Sequence, residues 1–215
     1  FRSSTFEVKL IDESGANVWW KRFPDYDFPE NWTIVRIRRD EISFAWGPIE
    51  DHTLKTVARI EFVVVGATGD KASVQVDTLE IRKLPELPAV LPSAVATVEG
   101  VPVPSAVDGN PDTVWTIGKP TDLTLDLGYL RELGGLTLRW AKSQVAPSIQ
   151  LAMSENGTDW TLPDWRQYIG PFSTAGVTSY VRMPHAFGRY VRLSVTPTAA
   201  SPVGLIDATI QPREF

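Results

Sequence analysis

The feature that most limits the fold of this chain is the spacing of its apolar residues, which is two along most of its length. Phe6, Val8 and Leu10 alternate with Glu7 and Lys9, Val35 and Ile37 alternate with Arg36 and Arg38, and Ile60, Phe62 and Val64 repeat at the same interval. No stretch of twelve residues keeps the apolar stripe of an amphipathic helix. Successive side chains of a strand point to opposite faces, so this pattern predicts half-buried antiparallel strands. Gly66-Ala-Thr-Gly69 reads as a hairpin turn into a further strand, with Val74 and Val76 and, after a bulge near Asp77, Leu79 and Ile81.

The segment from Leu84 to Pro92 holds three prolines and cannot form a central strand, so the domain boundary is placed there. The expected division is a first domain at 1–84, a Pro-rich linker at 85–92 and a second domain at 93–215. Beyond the linker the alternation resumes with Leu123, Leu125 and Leu127, then Leu136, Leu138 and Trp140, then Ile149, Leu151 and Met153. Val181 and Met183 follow as one strand, Val191, Leu193 and Val195 as another, and a last strand runs near Leu205 to Ile210. Short strands between polar turns, with no crossover helix, predict a sandwich or jelly roll. The second part has the size of a complete sandwich. The first, with five or six expected strands, is short for one, its opening strands being missing or supplied by another segment. The chain opens at Phe1 without Met or a signal peptide, so a portion of a longer protein is expected.

Several chemistries are disfavoured by the same sequence. The formal charge is −5, from 21 basic and 26 acidic residues, with no basic block, so nucleic acid is not an expected partner. Apolar runs such as Phe62 to Val65 are too short for a transmembrane segment. There is no cysteine, which removes disulfides, thiolate metal sites and cysteine nucleophiles. The two histidines, His52 and His185, lack partners at metal-binding spacing. No Gly-x-Ser-x-Gly elbow occurs, and Gly66 to Lys71 lacks the spacing and the hydroxyl of a phosphate loop. Asp25 and Asp27 form only a chance-level carboxylate pair. A non-enzyme is expected.

Five short motifs then occur in order. They are Ala106-Val-Asp-Gly-Asn-Pro-Asp-Thr-Val-Trp115, Leu123-Thr-Leu-Asp-Leu-Gly128, Gly135-Leu-Thr-Leu-Arg-Trp140, Ser154-Glu-Asn-Gly-Thr-Asp-Trp160 and Arg189-Tyr-Val-Arg-Leu193. Through them residues 94–215 resemble the discoidin, or coagulation factor 5/8 type C, family, which overlaps the family 32 carbohydrate-binding modules. The resemblance implies a jelly-roll β-sandwich with its ligand on loops at one end, and an oligo- or polysaccharide as partner. It also implies a candidate structural calcium on the loop of Asp108, Asn110 and Thr113. Asp207 is the nearest counterpart of the family's last-strand carboxylate, usually a glutamate and here one methylene shorter. The alternative is a turn held by Asx hydrogen bonds alone. Through Asn17-Val-Trp-Trp20, Phe28-Pro-Glu-Asn-Trp32, Phe44-Ala-Trp-Gly-Pro48 and the strand Phe6-Glu-Val-Lys-Leu-Ile-Asp12 before a Gly turn, residues 1–87 resemble, more loosely, galactose-binding-like sandwich modules of bacterial glycan-active enzymes. The expected fold is thus all-β, with two consecutive β-sandwiches of jelly-roll, galactose-binding-like type, the first short of strands.

The loop from Thr161 to Ser179 is the first place to look for a ligand. It gathers Trp165, Arg166, Tyr168 and Phe172 on a stretch too irregular to need them for a strand. An aromatic face stacks on the C–H face of a sugar while charged and amide groups take its hydroxyls. Trp165, Arg166, Tyr168 and His185 are the candidate ligand-binding residues, against the alternative of a loop burying its own aromatics. Trp115 and Trp160 are expected in the core, Trp140 half in it, and Trp20, Trp32 and Trp46 in one cluster. These features predict a carbohydrate-binding region of a larger secreted or periplasmic bacterial glycan-active protein. The competing expectation is a pair of sandwiches that dock other domains of that protein and bind no ligand.

Overall fold

The computed structural model describes residues 4–66, 73–141, 146–170, 176–197 and 202–213, and the chain divides into two units, Phe1–Glu80 and Ile81–Phe215. Phe172 and the turn residues Ala67 to Gly69 lie outside the described residues.

The first unit is a four-stranded antiparallel sheet of β1 (Thr5–Ile11), β2 (Val18–Phe23), β3 (Ser43–Trp46) and β4 (Arg59–Val65), in the order β3-β2-β1-β4. Phe6 lies opposite both Phe23 and Val64, so the alternation gathers their side chains on one face. There the ring of Phe6 meets those of Phe23, Tyr26 and Phe28 at centroid distances of 5.7, 5.4 and 5.5 Å. Trp19 is buried, and its indole N–H donates to the His52 carbonyl at 2.8 Å. Trp20 and Trp46 meet edge to face at 5.6 Å, but Trp32 does not join them and is 70% exposed.

Two predicted strands are absent. The run through Val35 and Ile37 ends where the Arg38 amide donates to Glu41 Oε2 at 2.9 Å and a 3-10 turn begins at Arg39. The run from Val74 to Ile81 breaks at Asp77, whose carboxylate accepts the Thr78 amide at 2.7 Å while Thr78 takes φ 51°. Alternation sets the period of a strand but supplies no partner, and Val74, Val76, Leu79 and Ile81 are left exposed.

The second unit is built on a ribbon. Strand β8 (Thr121–Ala141) pairs antiparallel with β11 (Gly176–Thr196), each 21 residues long. Sequence alternation predicts two strands in each of these stretches. The structure instead runs each pair together, with register breaks between Arg182 and Ala186 and between Gly188 and Tyr190. Such irregularities bend and twist a strand, which allows one ribbon to serve both layers of a sandwich. Around one half, β5 (Val95–Val98) pairs with β8, and β9 (Ser148–Ser154) with β11; β6 (Val101–Pro102) adds to β5. Around the other half, β10 (Arg166–Ile169) pairs with β11, and β12 (Val203–Gln211) lies between β8 and β7 (Trp115–Ile117). Leu123, Leu125 and Leu193 from the first half and Leu136, Leu138 and Val181 from the second enclose one core.

The sequence motifs are joints of this ribbon. Asp126 of β8 and Arg189 of β11 form a two-point fork, with Arg189 Nε to Oδ1 at 2.8 Å and Nη2 to Oδ2 at 2.7 Å. Gly128 has φ 75°, and a Cβ there would come within 2.7 Å of the Pro92 ring. Trp140 is fully buried rather than half in the core. Its N–H donates to Ser179 Oγ at 3.0 Å, which also accepts from Gln167 Nε2 at 3.0 Å. Trp115 packs partly buried against the core. Trp160 lies outside it, half-buried, with the Arg192 guanidinium over its ring 3.7 Å from the centroid. Residues 81–94 form no strand but lie on this unit: Arg82 pairs with Glu155 at 2.6 Å, and Pro92 rests on Gly128. Among the described residues no helix is long and apolar enough to cross a membrane.

The hydrogen bonds from Arg189, with a further one from the Gly128 amide, hold the Asp126 carboxyl below its ordinary pKa. A depressed carboxyl contributes stability above its ordinary value and loses that contribution as pH falls through the folded one. Asp126→Asn should therefore lower stability by about 1 kcal/mol at neutral pH, the fork being partly exposed. The gap between variant and parent in thermal melts should narrow as pH falls below about 3.9.

Candidate functional site

Most of the candidate residues of the second unit gather at two places. The first is the turn before β7. Asp108 Oδ1 accepts the Asn110 amide at 2.9 Å, and Asn110 Oδ1 accepts the Asp112 amide at 3.0 Å. Thr113 Oγ1 lies 2.8 Å from Asp108 Oδ2 and 3.1 Å from the Asn110 carbonyl. Asp207, buried on β12, brings the last strand to this turn: its Oδ1 accepts the Gly109 amide at 3.1 Å, with Gly109 at φ 68°. Its Oδ2 accepts the Thr209 hydroxyl and stands 3.7 Å from Arg139 Nη2. Asp108, Asn110, Thr113 and Asp207 are thus brought together around one turn. Their carboxylate, amide and hydroxyl oxygens are hard donors of the kind Ca²⁺ takes. The turn also satisfies these oxygens from within, and no group of three or more acidic or histidine side chains suited to a metal occurs among the described residues.

The second place is the outer face of the sheet at β10 and β11. Residues 166–169, expected as irregular loop, form an edge strand because Gln167 finds an inward partner in Ser179 while its neighbours point outward. In the register, Arg166 lies opposite Arg182 and Tyr168 opposite Tyr180. Tyr168 is 53% exposed and Tyr180 40%. The Tyr180 ring leans over Gly170, where a Cβ would come within 3.0 Å of it. On β8, Thr137 lies opposite Tyr180, and its hydroxyl accepts from Gln211 Nε2 of β12 at 2.8 Å. The side chains of Arg166 and Arg182 make no hydrogen bond or ion pair with the described residues. Like charges directly opposed across strands repel, so this face carries a concentrated positive edge beside two open phenol rings.

The other two candidate residues stand apart from this face. Trp165 is half-buried and packs against the core. His185 is exposed at φ 60° within the register break that follows Arg182. Tyr180 and Arg182 escaped the sequence reading. Their alternation with Val181 and Met183 marks them as outward-facing, but which strand they meet is a long-range fact that alternation does not carry.

With this geometry in place, the match to known families decides the relationship. The model of the F5/8 type C domain matches residues 93–207, more than half of the chain. The chain belongs to the F5/8 type C family. No curated protein sequence matches it. Solved structures similar to this F5/8 type C chain include CpGH89CBM32-6 produced by Clostridium perfringens, with 18% identity and a TM-score of 0.42 over 56% of this chain and 94% of that one. Another is CpGH89CBM32-5 from the same organism, in complex with GalNAc-beta-1,3-galactose, with 19% identity and a TM-score of 0.43 over 55% and 93%. A third is chitosan-binding module 2 of a Paenibacillus chitosanase/glucanase, in complex with chitotriose, with 20% identity and a TM-score of 0.40 over 50% and 83%.

The Asp207 joint of this F5/8 type C unit is open to test. Asp207→Ala leaves the Gly109 amide and the Arg139 guanidinium without their acceptor. A loss of about 2 kcal/mol is expected in urea unfolding, and Asp207→Glu should recover only part of it.

Proposed function

We propose that this chain is a non-catalytic carbohydrate-binding region and that the outer face of β10 and β11 is its glycan platform. The observation that carries the reading is the exposed pair Tyr168 and Tyr180, side by side on a rigid sheet and flanked by Arg166 and Arg182. A phenol ring offers its face to the C–H side of a pyranose. Each guanidinium presents five fixed N–H donors to ring hydroxyls, and neither is occupied by a neighbour among the described residues. The strands are held by the ladder, so little order is lost on binding. In this reading the platform holds a larger, secreted or periplasmic bacterial glycan-active protein on its polysaccharide. A site of this size binds weakly, with Kd in the micromolar to millimolar range, about −8 to −4 kcal/mol.

A structural calcium on Asp108, Asn110, Thr113 and Asp207 is the second part of the proposal. Its support is the hard-oxygen donor set, in which the Thr113 and Thr209 hydroxyls can turn from donating to the carboxylates to accepting a cation. The ion would fix the turn and take no part in sugar contact.

A docking role favours a different surface. In the first unit Trp32 is 70% exposed and Trp46 47%, as an aromatic surface for another domain would be.

Screening the intact chain against oligo- and polysaccharides, with calcium and with chelator, tests these readings. Binding is expected under both conditions, weakened at least about tenfold by Tyr168→Ala with Tyr180→Ala. No binding to any glycan would transfer the case to docking. Calcium should raise the thermal midpoint and chelator lower it; an unchanged midpoint would leave the turn held by its own hydrogen bonds.

A further inference from the structure

Arg131 occupies a position on β8 that the alternation reserves for the interior. Leu125, Leu127, Arg131 and Leu133 fall on one alternate set and are buried, Arg131 being 8% exposed, while Tyr129 between them turns out to solvent. Its Nε is buried without a hydrogen-bond partner, and the side chain makes no ion pair with the described residues. A buried donor without a partner is costly, and each such group in a folded protein calls for an explanation. Burial lowers the guanidinium pKa below its ordinary value, yet arginine stays charged in proteins.

Arg131 lines a cavity of about 490 Å³ in the second unit. The walls are mainly apolar: Leu87 and Leu91 of the Pro-rich segment on one side, and Leu133, Phe187 and Ile210 of the sandwich on the other. Two further charged residues line it, Glu132 and Arg213, and they pair with each other at 3.4 Å. The lining therefore keeps one net positive charge, that of Arg131, inside an apolar wall. The size is within the usual range for small-molecule sites.

We propose that this cavity binds an amphipathic monoanion, with a carboxylate or sulfate group on the Arg131 guanidinium and an apolar body against the leucines and Phe187. The two elements fix the class. An uncharged apolar ligand would leave the guanidinium unpaired, and a small hydrophilic anion would leave the wall unfilled. A planar guanidinium takes either oxyanion through two parallel hydrogen bonds.

The test uses the intact chain with decanoate, decyl sulfate and, as the uncharged control, 1-decanol, each followed by titration calorimetry. At least one anion should bind at about millimolar concentration or below, with decanol at least about tenfold weaker. Comparing decanoate with decyl sulfate separates carboxylate from sulfate. Arg131→Met keeps the volume and removes the charge, so it should melt no lower than the parent while losing anion binding at least about tenfold. Leu91→Trp, which fills the cavity from the segment side and leaves Arg131 in place, should also block binding. Equal binding of decanol and decanoate, undiminished anion binding by both variants, or no anion binding by the parent would overturn the assignment.

Discussion

The second unit depends on one pairing, that of β8 with β11. Both strands run 21 residues, far beyond the usual length, and a flat ribbon of that size could bury only one of its faces. The two register breaks remove that limit by bending the ribbon, so that its two halves turn inward-facing leucines and valines toward each other. The remaining strands then add to edges the ribbon already provides. The fork between Asp126 and Arg189 lies beside one break, where the ladder is interrupted and side chains must hold the two strands together. A short polar motif in each strand thus compensates for backbone bonds lost at the bend.

This arrangement explains which parts of the fold were legible in the sequence. The alternation identified Leu123, Leu136, Leu151 and Leu193 as interior residues, and each is buried. It divided β8 and β11 in two because the bends interrupt the period as a turn would. It also wrote strands at Val35 and at Val74, where the local pattern is sound but Arg38 and Asp77 start competing turns. Local hydrogen bonds from acidic side chains override a weak pattern that has no neighbouring strand to reward it.

The candidate site was legible only by halves. Arg166 and Tyr168 could be singled out as aromatic and cationic residues between strands. Their partners Tyr180 and Arg182 belong to β11, and register is a property of two strands. Trp165 carries the same chemical signal as Tyr168 and yet packs inward, because it lies an odd number of residues from Tyr168, just before β10 begins. Asp207 behaved differently. Its place near the Asp108 turn came from the family pattern, and the shorter side chain still reaches the Gly109 amide because the strand itself runs close to the turn.

The segment of residues 81–94 bears on how this protein can be cut. Composition alone would start a fragment at residue 93, after the last proline of the stretch. Such a fragment would discard Leu87 and Leu91, which cover Leu133, Phe187 and Ile210, together with the Pro92 ring that shields Gly128 and the Arg82 pairing with Glu155. The greasy floor so uncovered would make the shortened piece prone to self-association, although every strand of the sandwich was retained. The second unit begins about a dozen residues earlier, at Ile81, so a piece cut there would keep these contacts of the proline-rich stretch with the sandwich.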